Sequence, residues 1–297
     1  EEARKRGMIA YAEALEDNRA YHGDDMEMRQ YADIPMGAMG PGTLPDEGTQ
    51  APTRRYVDGH GAASVAHVYG RKFVAAESFT SVMNDRSPRE IKTVADQLFV
   101  HGVNRIFVHT SAHQPGDQGP GVTLNNIGFF FTRNEPWAGM ARAWTDYLAR
   151  TSFLLQQGRY VADFAYFYGE EAPITGIWGS EPDKPLPTGR GYDFVNADVV
   201  LNHFSVRNGR VVTPSGMEYA LVYVGGRSSQ MTLPVLNKLK SMVEQGASIA
   251  GDRPRPRQSL ADDDAVFQRT ADSLWGTGER GVRFVQLFHP DWDHHSR

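Results

Sequence analysis

The sequence predicts an α/β protein in two parts, and three observations carry that reading. Short apolar runs alternate with amphipathic stretches over residues 1–158, the pattern restarts in residues 159–297, and Gly158 ends the longest helical stretch between them. Alternation of this kind predicts parallel strands joined by crossover helices. A chain of 297 residues is long enough for one large domain or two ordinary ones.

In chain order, residues 6–15 (RGMIAYAEAL) read as a strand ending at Glu13, and residues 31–36 (YADIPM) as a shorter one stopped by Pro35. Residues 61–69 form a short helix. KFVAAE follows as a strand that is apolar at consecutive positions, as strands buried on both faces are, and stops on Glu77. Ser87 is the N-cap and Pro88 the first position of the next helix, with Ile91, Val94, Ala95, Leu98 and Phe99 at helical spacing. Gly102 closes it, VNRIFVHT (103–110) is a strand, and a Gly/Pro/Asn-rich loop runs to about residue 134 before the helix of residues 137–157. The second part opens with the strand YVADFAYFY and a Pro/Gly-rich loop over 172–191. Then come a turn at Pro214-Ser215-Gly216, a buried strand, a helix over 232–245 with Gly246 as its C-cap, and the strand ASIAG. This is a doubly wound unit. The stretch 281–297 reads as lying outside a packed fold.

Composition bounds the chemistry. Hydrophobic residues make up 40% and aromatic residues 11%, enough for a real core, and the formal charge of −5 is spread along the chain without a Lys/Arg cluster. Nucleic acid is therefore not an expected partner. No apolar run approaches the roughly 20 residues that span a bilayer, so no membrane partner is expected either. The absence of cysteine excludes disulfides, a catalytic thiol and thiolate metal sites. Oxygen or imidazole ligands remain, which favours a hard cation such as calcium.

Three strands of the first part end on polar groups: Glu13, Glu77, and the pair His109 and His113. Strand C-termini converge on one face of a parallel α/β barrel, and two carboxylates there suit glycoside hydrolysis, one as acid and one as base or nucleophile. Tyr21, Phe79 and Trp137 offer apolar faces for a sugar ring, and Asn104, His109, His113 and Trp137 are the candidate substrate contacts. Plainer roles stand beside these. A glutamate after a strand is commonly solvated or caps a helix, and Glu13 with Glu16 and Asp17 could form an exposed acidic turn. A lone histidine such as His109 is commonly a hydrogen-bonded core residue. HTSAH has the spacing of a zinc pair but sits at a strand end without the adjacent glutamate. GDDMEM (23–28) is a calcium candidate or simply a solvated acidic loop.

Several segments resemble the catalytic region of the bacterial α-L-rhamnosidases of glycoside hydrolase family 106. They include YAEALEDNRAYHGDDMEMRQYADIPMGAM, GAASVAHVYGRKFVAAESFTS, HGVNRIFVHTSAHQP and DYLARTSFLLQQGRYVADFAYFYGEEAP, and they occur in family order over about residues 7–275. The resemblance implies a partial (β/α)8 (TIM) barrel followed by a flavodoxin-like or amidotransferase-like domain. It also implies an inverting mechanism and a calcium ion that helps bind rhamnose hydroxyls. On the matching segments Glu13 and Glu77 are the catalytic pair, with Glu13 favoured as acid and Glu77 as base. Glu170 in YFYGEE is a rival that reads as a rim or interdomain residue. The implied substrate is a rhamnose-containing oligo- or polysaccharide, and the implied location periplasmic or secreted; the oligomeric state is not implied. A retaining glycosidase of other specificity and a truncated, inactive carbohydrate-binding fragment are the alternatives. Two departures stand out. GPGTLPDEGT at Gly40 lacks an aromatic of the family, and about four barrel strands precede the second part where eight close a barrel, so the chain is expected to be a piece of a longer enzyme.

Overall fold

A computed structural model describes residues 2–14, 23–38, 57–80, 86–119, 121–124, 131–170, 190–225, 228–257 and 259–276. Glu16, Asp17, Tyr21, residues 40–49, most of the 172–191 loop and the tail from residue 281 lie outside them. The fold is α/β with parallel sheets, in two compact units: Glu1–His67 with Arg71–Tyr160, and Val68–Gly70 with Val161–Arg297.

The first unit runs α1 (Glu2–Lys5), β1 (Tyr11–Ala12), α2 (Asp25–Arg29), β2 (Ile34–Ala38), α3 (Val57–Tyr69, whose last two residues are assigned to the second unit), β3 (Ala75–Ser78), α4 (Pro88–Val100), β4 (Arg105–Val108) and α5 (Ala141–Leu155). Its four strands pair in parallel in the order β1-β2-β3-β4. The predicted first strand shrinks to two paired residues. Among the described residues it has one neighbour, and the segment before it is held instead by Asp33, which accepts from the Ala10 amide at 2.9 Å and from Arg4 at 2.8 Å.

α4 begins as its sequence dictates: the Ser87 amide donates to the Glu90 carboxylate at 2.7 Å, and Pro88 occupies the first turn. Its stripe of Ile91, Val94, Ala95, Leu98 and Phe99 is buried with Ala62, Ala63 and Ala66 of α3, Ala76 of β3, and Trp144 and Leu148 of α5. Each large side chain of that stripe contributes roughly 1.5–3 kcal/mol by leaving water. The opposite face of the sheet carries a smaller cluster of Ile34, Met36 and Ala75 against Phe73 and Phe107. Side chains alternate across a strand, so Ala76 packs under the helices while Ala75 and Glu77 share the helix-free face. On that face the sheet is strongly curled. Across three gaps of roughly 4.8 Å a flat sheet would hold β1 and β4 about 14 Å apart, yet the rings of Tyr11 and Phe107, on those two edges, lie 5.3 Å apart.

The second unit contains β5 (Phe164–Phe167), β6 (Tyr192–Val195), β7 (Ser205–Arg207), β8 (Arg210–Val212), β9 (Glu218–Tyr219), β10 (Leu221–Val224), β11 (Gln230–Met231), α6 (Leu233–Glu244), β12 (Ser248–Gly251), β13 (Arg255–Pro256) and α7 (Asp264–Trp275). A parallel sheet runs β12-β10-β5-β6, and β7-β8-β9 form an antiparallel meander. β6 (YDFV) and α7 lie beyond the elements expected from sequence. Asp193 of β6 is fully buried because Tyr219 donates to it at 2.9 Å, and burial together with that charge raises the Tyr219 pKa. Trp275 anchors α7 by donating from Nε1 to the Gly251 carbonyl at 3.0 Å.

Behind the first sheet His60 of α3 and His101, the C-cap of α4, meet Nδ1 to Nδ1 at 3.0 Å. Burial pushes the His101 pKa down to about 4. An unfolded histidine titrates near ~6.5, so below that pH the unfolded chain binds the extra proton and the folded one does not. The contribution, on the order of 2–3 kcal/mol after allowance for partial exposure, is complete above ~6.5 and lost as the pH falls towards about 4. Asp33 and Glu90, whose pKa values are lowered chiefly by the Ala10 and Ser87 amides, act below that window. His101→Asn keeps a polar atom near the Nδ1 position without a titration. The variant is expected to lose less thermal midpoint than the parent between pH 7 and pH 4.5, and equal losses would refute the assignment.

Candidate active site

Three of the strand-end residues singled out in the sequence meet. Glu13 follows β1 directly, Glu77 is the penultimate residue of β3, and His109 follows β4, and all three line one cavity of about 410 Å³ with Tyr11, Ala12, Met36, Phe107 and Val108. Register explains the meeting. Glu77 pairs with Ala38 on one side and Phe107 on the other, and the His109 amide donates to the Ser78 carbonyl at 2.9 Å, which ties the ends of β3 and β4 together. Tyr11 and Glu13 share a face by the same period of two, as do Phe107 and His109.

The aromatic faces at this cavity are Tyr11, 60% exposed, and Phe107. Neither was singled out in the sequence. The signal was present, since each stands two residues before a strand-end polar group, but only the curl of the sheet brings them together. Phe79 is instead fully buried against Trp144, and Trp137 packs on the same core beside Phe131. Asn104 lies at the N-terminal end of β4, away from the cavity. Its Oδ1 accepts from the Val74 amide at 2.9 Å and its Nδ2 donates to the Lys72 carbonyl at 3.0 Å, so it braces the start of β3. His113 is exposed in the loop after β4 and is not among the lining residues. Glu170, in the second unit, spends both carboxylate oxygens on Thr232, the N-cap of α6: it accepts from the amide at 2.7 Å and from the hydroxyl at 2.8 Å.

Beneath Glu13 lies a buried ion cluster. Arg29 is 1% exposed, pairs with Asp58, and lies 3.5 Å from Asp25. Burial opposes its charge, but Asp58, Asp25 and Glu13 together outweigh burial and raise its pKa. Asp58 also accepts from the Ala38 amide at 2.6 Å, so the cluster grips the end of β2.

Two carboxylates of the acidic loop have protein partners. Asp24 caps α2 by accepting from the Glu27 amide at 2.9 Å, and Asp25 is consumed by Arg29. Calcium takes about 6–8 oxygens, and among the described residues no group of three or more acidic or imidazole side chains converges on a metal position.

A family profile described as α-L-rhamnosidase, glycoside hydrolase family 106, matches residues 1–288. The chain belongs to this family. A rhamnosidase from Novosphingobium sp. PP1Y superposes with a TM-score of 0.84 at 43% identity, over 93% of this chain and 26% of that one. A protein of Formosa agariphila that bears a provisional β-glucuronidase name is 36% identical over 220 residues, 73% of this chain and 18% of that one. This rhamnosidase-family chain thus spans about a quarter or less of the length of these relatives.

Replacing Arg29 leaves Asp25 and Asp58 buried beside a neutral group. Arg29→Met is expected to cost about 3–5 kcal/mol in urea-induced unfolding, and an unchanged midpoint would show that the cluster contributes nothing to stability.

Proposed function

We propose that the cavity at the ends of β1, β3 and β4 is the catalytic part of an inverting α-L-rhamnosidase that removes terminal rhamnose from oligo- or polysaccharides and glycosides. The observation that carries the reading is the meeting of two carboxylates and an imidazole beside two aromatic rings in one cavity. Its size falls within the roughly 300–1,000 Å³ common for small-molecule sites. Glu13 acts as the acid and protonates the glycosidic oxygen as the bond to the anomeric carbon breaks. Glu77 acts as the base and takes a proton from the water that attacks that carbon from the opposite face. The products are the free alcohol and rhamnose of inverted configuration; Glu77 then releases its proton to solvent and Glu13 takes one up, which restores both groups. His109, which lines the same cavity, is a hydrogen-bonding group for sugar hydroxyls.

The lining also bears on substrate class. Among the described residues it holds two glutamates and no lysine or arginine. A glucuronide would bring its carboxylate beside the base carboxylate, a like charge, which weakens binding. Rhamnose is neutral and ends in a methyl group, which suits Met36, Phe107 and Val108. At the level of the fold, the curl between Tyr11 and Phe107 supports reading the first sheet as an arc of a (β/α)8 barrel. The order of the second sheet, 2-1-3-4 in chain order, supports a flavodoxin-like unit.

The purified protein is expected to release nitrophenol from 4-nitrophenyl α-L-rhamnoside and not from the β-glucuronide. Glu13→Gln and Glu77→Gln should each lower kcat by roughly 10²–10⁴-fold, and NMR of the first-formed sugar should show the inverted anomer. Preferential glucuronide cleavage, or full activity in Glu77→Gln, would overturn the reading.

A further inference from the structure

We propose that Thr80 is a positioning residue for Glu77, carried to it by a left-handed turn at Phe79. The inference rests on the reading of Glu77 as the base of the reaction. In an extended strand Glu77 and Phe79 would share the cavity face, while Ser78 and Thr80 would share the helix face. The backbone departs from that alternation at Phe79, whose φ is 72°. A residue with a Cβ is strained in this region, and a bulky aromatic is rare there. The cost is offset by the ring itself, which is fully buried and packs on Trp144 with centroids 6.1 Å apart.

The turn exchanges two neighbours. The phenyl ring that would have stood beside the carboxylate goes into the helix-side core, and the hydroxyl that would have faced the helices comes back to the carboxylate. Thr80 Oγ1 donates to Glu77 Oε1. Among the described residues this is the hydrogen bond of the Glu77 carboxylate, so Oε2 is the oxygen left to receive a proton. Ser78 is held on the other side, with its hydroxyl donating to the Ala76 carbonyl at 2.9 Å and its carbonyl accepting from the His109 amide at 2.9 Å. A base must present one oxygen within hydrogen-bond reach of the attacking water in a fixed direction, and a carboxylate free to rotate about its last torsion would not. Strain held at a strand end beside a reacting group is the kind that a site retains for orientation.

The test is a double-mutant cycle in the purified protein. Thr80→Val, Thr80→Ser, Glu77→Gln and the Thr80→Val/Glu77→Gln pair are compared for kcat, KM and thermal midpoint on 4-nitrophenyl α-L-rhamnoside. Thr80→Val is expected to lower kcat by roughly 10- to 100-fold with KM held within about twofold. Thr80→Ser should restore most of the rate, and in the Glu77→Gln background Thr80→Val should cost nothing further in residual turnover. The inference is overturned if Thr80→Val retains full kcat while Glu77→Gln does not, or if its loss persists undiminished beside Glu77→Gln. It is also overturned if Thr80→Ser fails to restore the rate and both variants lose thermal midpoint in proportion. Full turnover in Glu77→Gln would instead remove the reading of Glu77 as base, and with it the role of Thr80.

Discussion

The geometry of the first unit hangs on the burial of Asp58. A carboxylate taken out of water costs several kcal/mol unless charge and hydrogen bonds replace its hydration. Here the replacements come from three directions. Arg29 supplies the charge, the Ala38 amide supplies a donor, and the first turn of α3 places Asp58 where the helix dipole favours an anion. Two of these tie one element to another: α2 to α3 through Arg29, and α3 to the end of β2 through Ala38. The approach is close enough to require glycine, since a Cβ at Gly37 would meet the Asp58 backbone at 2.6 Å. The same Arg29 that satisfies Asp58 also feels Glu13. The network that fixes the floor of the sheet therefore places a positive charge near one of the two cavity carboxylates.

What was legible in the sequence follows a physical rule: local signals survived where their causes are local. The Ser87 N-cap with Pro88 behind it, the apolar stripe of α4 and the Thr232 start of α6 depend on contacts within a few residues, and they stand as read. The consecutive apolar positions before Glu77 reflect a strand packed on both faces, and β3 lies there. β1 was overestimated because edge pairing depends on a neighbour that the strand's own composition does not reveal. β6 was missed because four residues beside a Gly/Pro-rich loop carry little pattern, and its buried Asp193 reads as polar until Tyr219 is seen beside it.

The candidate site was legible in its carboxylates and not in its aromatic faces. Glu13, Glu77 and His109 were found because a polar group at the end of an apolar run is visible in one dimension. Tyr11 and Phe107 are separated by nearly a hundred residues and by three strand gaps, and only the curl of the sheet joins them. Phe79 was misplaced for the opposite reason. Period two assigns it to the cavity face, and a single positive φ sends it to the other. A departure in one torsion leaves no trace in composition, since phenylalanine is not a residue that announces a left-handed turn.

Glu77 and Glu170 sharpen the point, because their sequence contexts are so alike. Each follows a run of apolar residues, and each sits at or just past the end of a parallel strand. Their partners set them apart. Both oxygens of Glu170 are taken by the amide and hydroxyl of Thr232, and its own carbonyl accepts from Arg257 at 3.1 Å, so the group closes the start of α6. One oxygen of Glu77 is taken by Thr80, and the carboxylate still lines a cavity with a second glutamate. A carboxylate with both oxygens engaged in holding a helix has less to offer a reacting proton, whereas one anchored through a single oxygen keeps the other for it. Chemistry at a strand end thus depends less on the presence of the acid than on how many of its hydrogen bonds the fold leaves unspent.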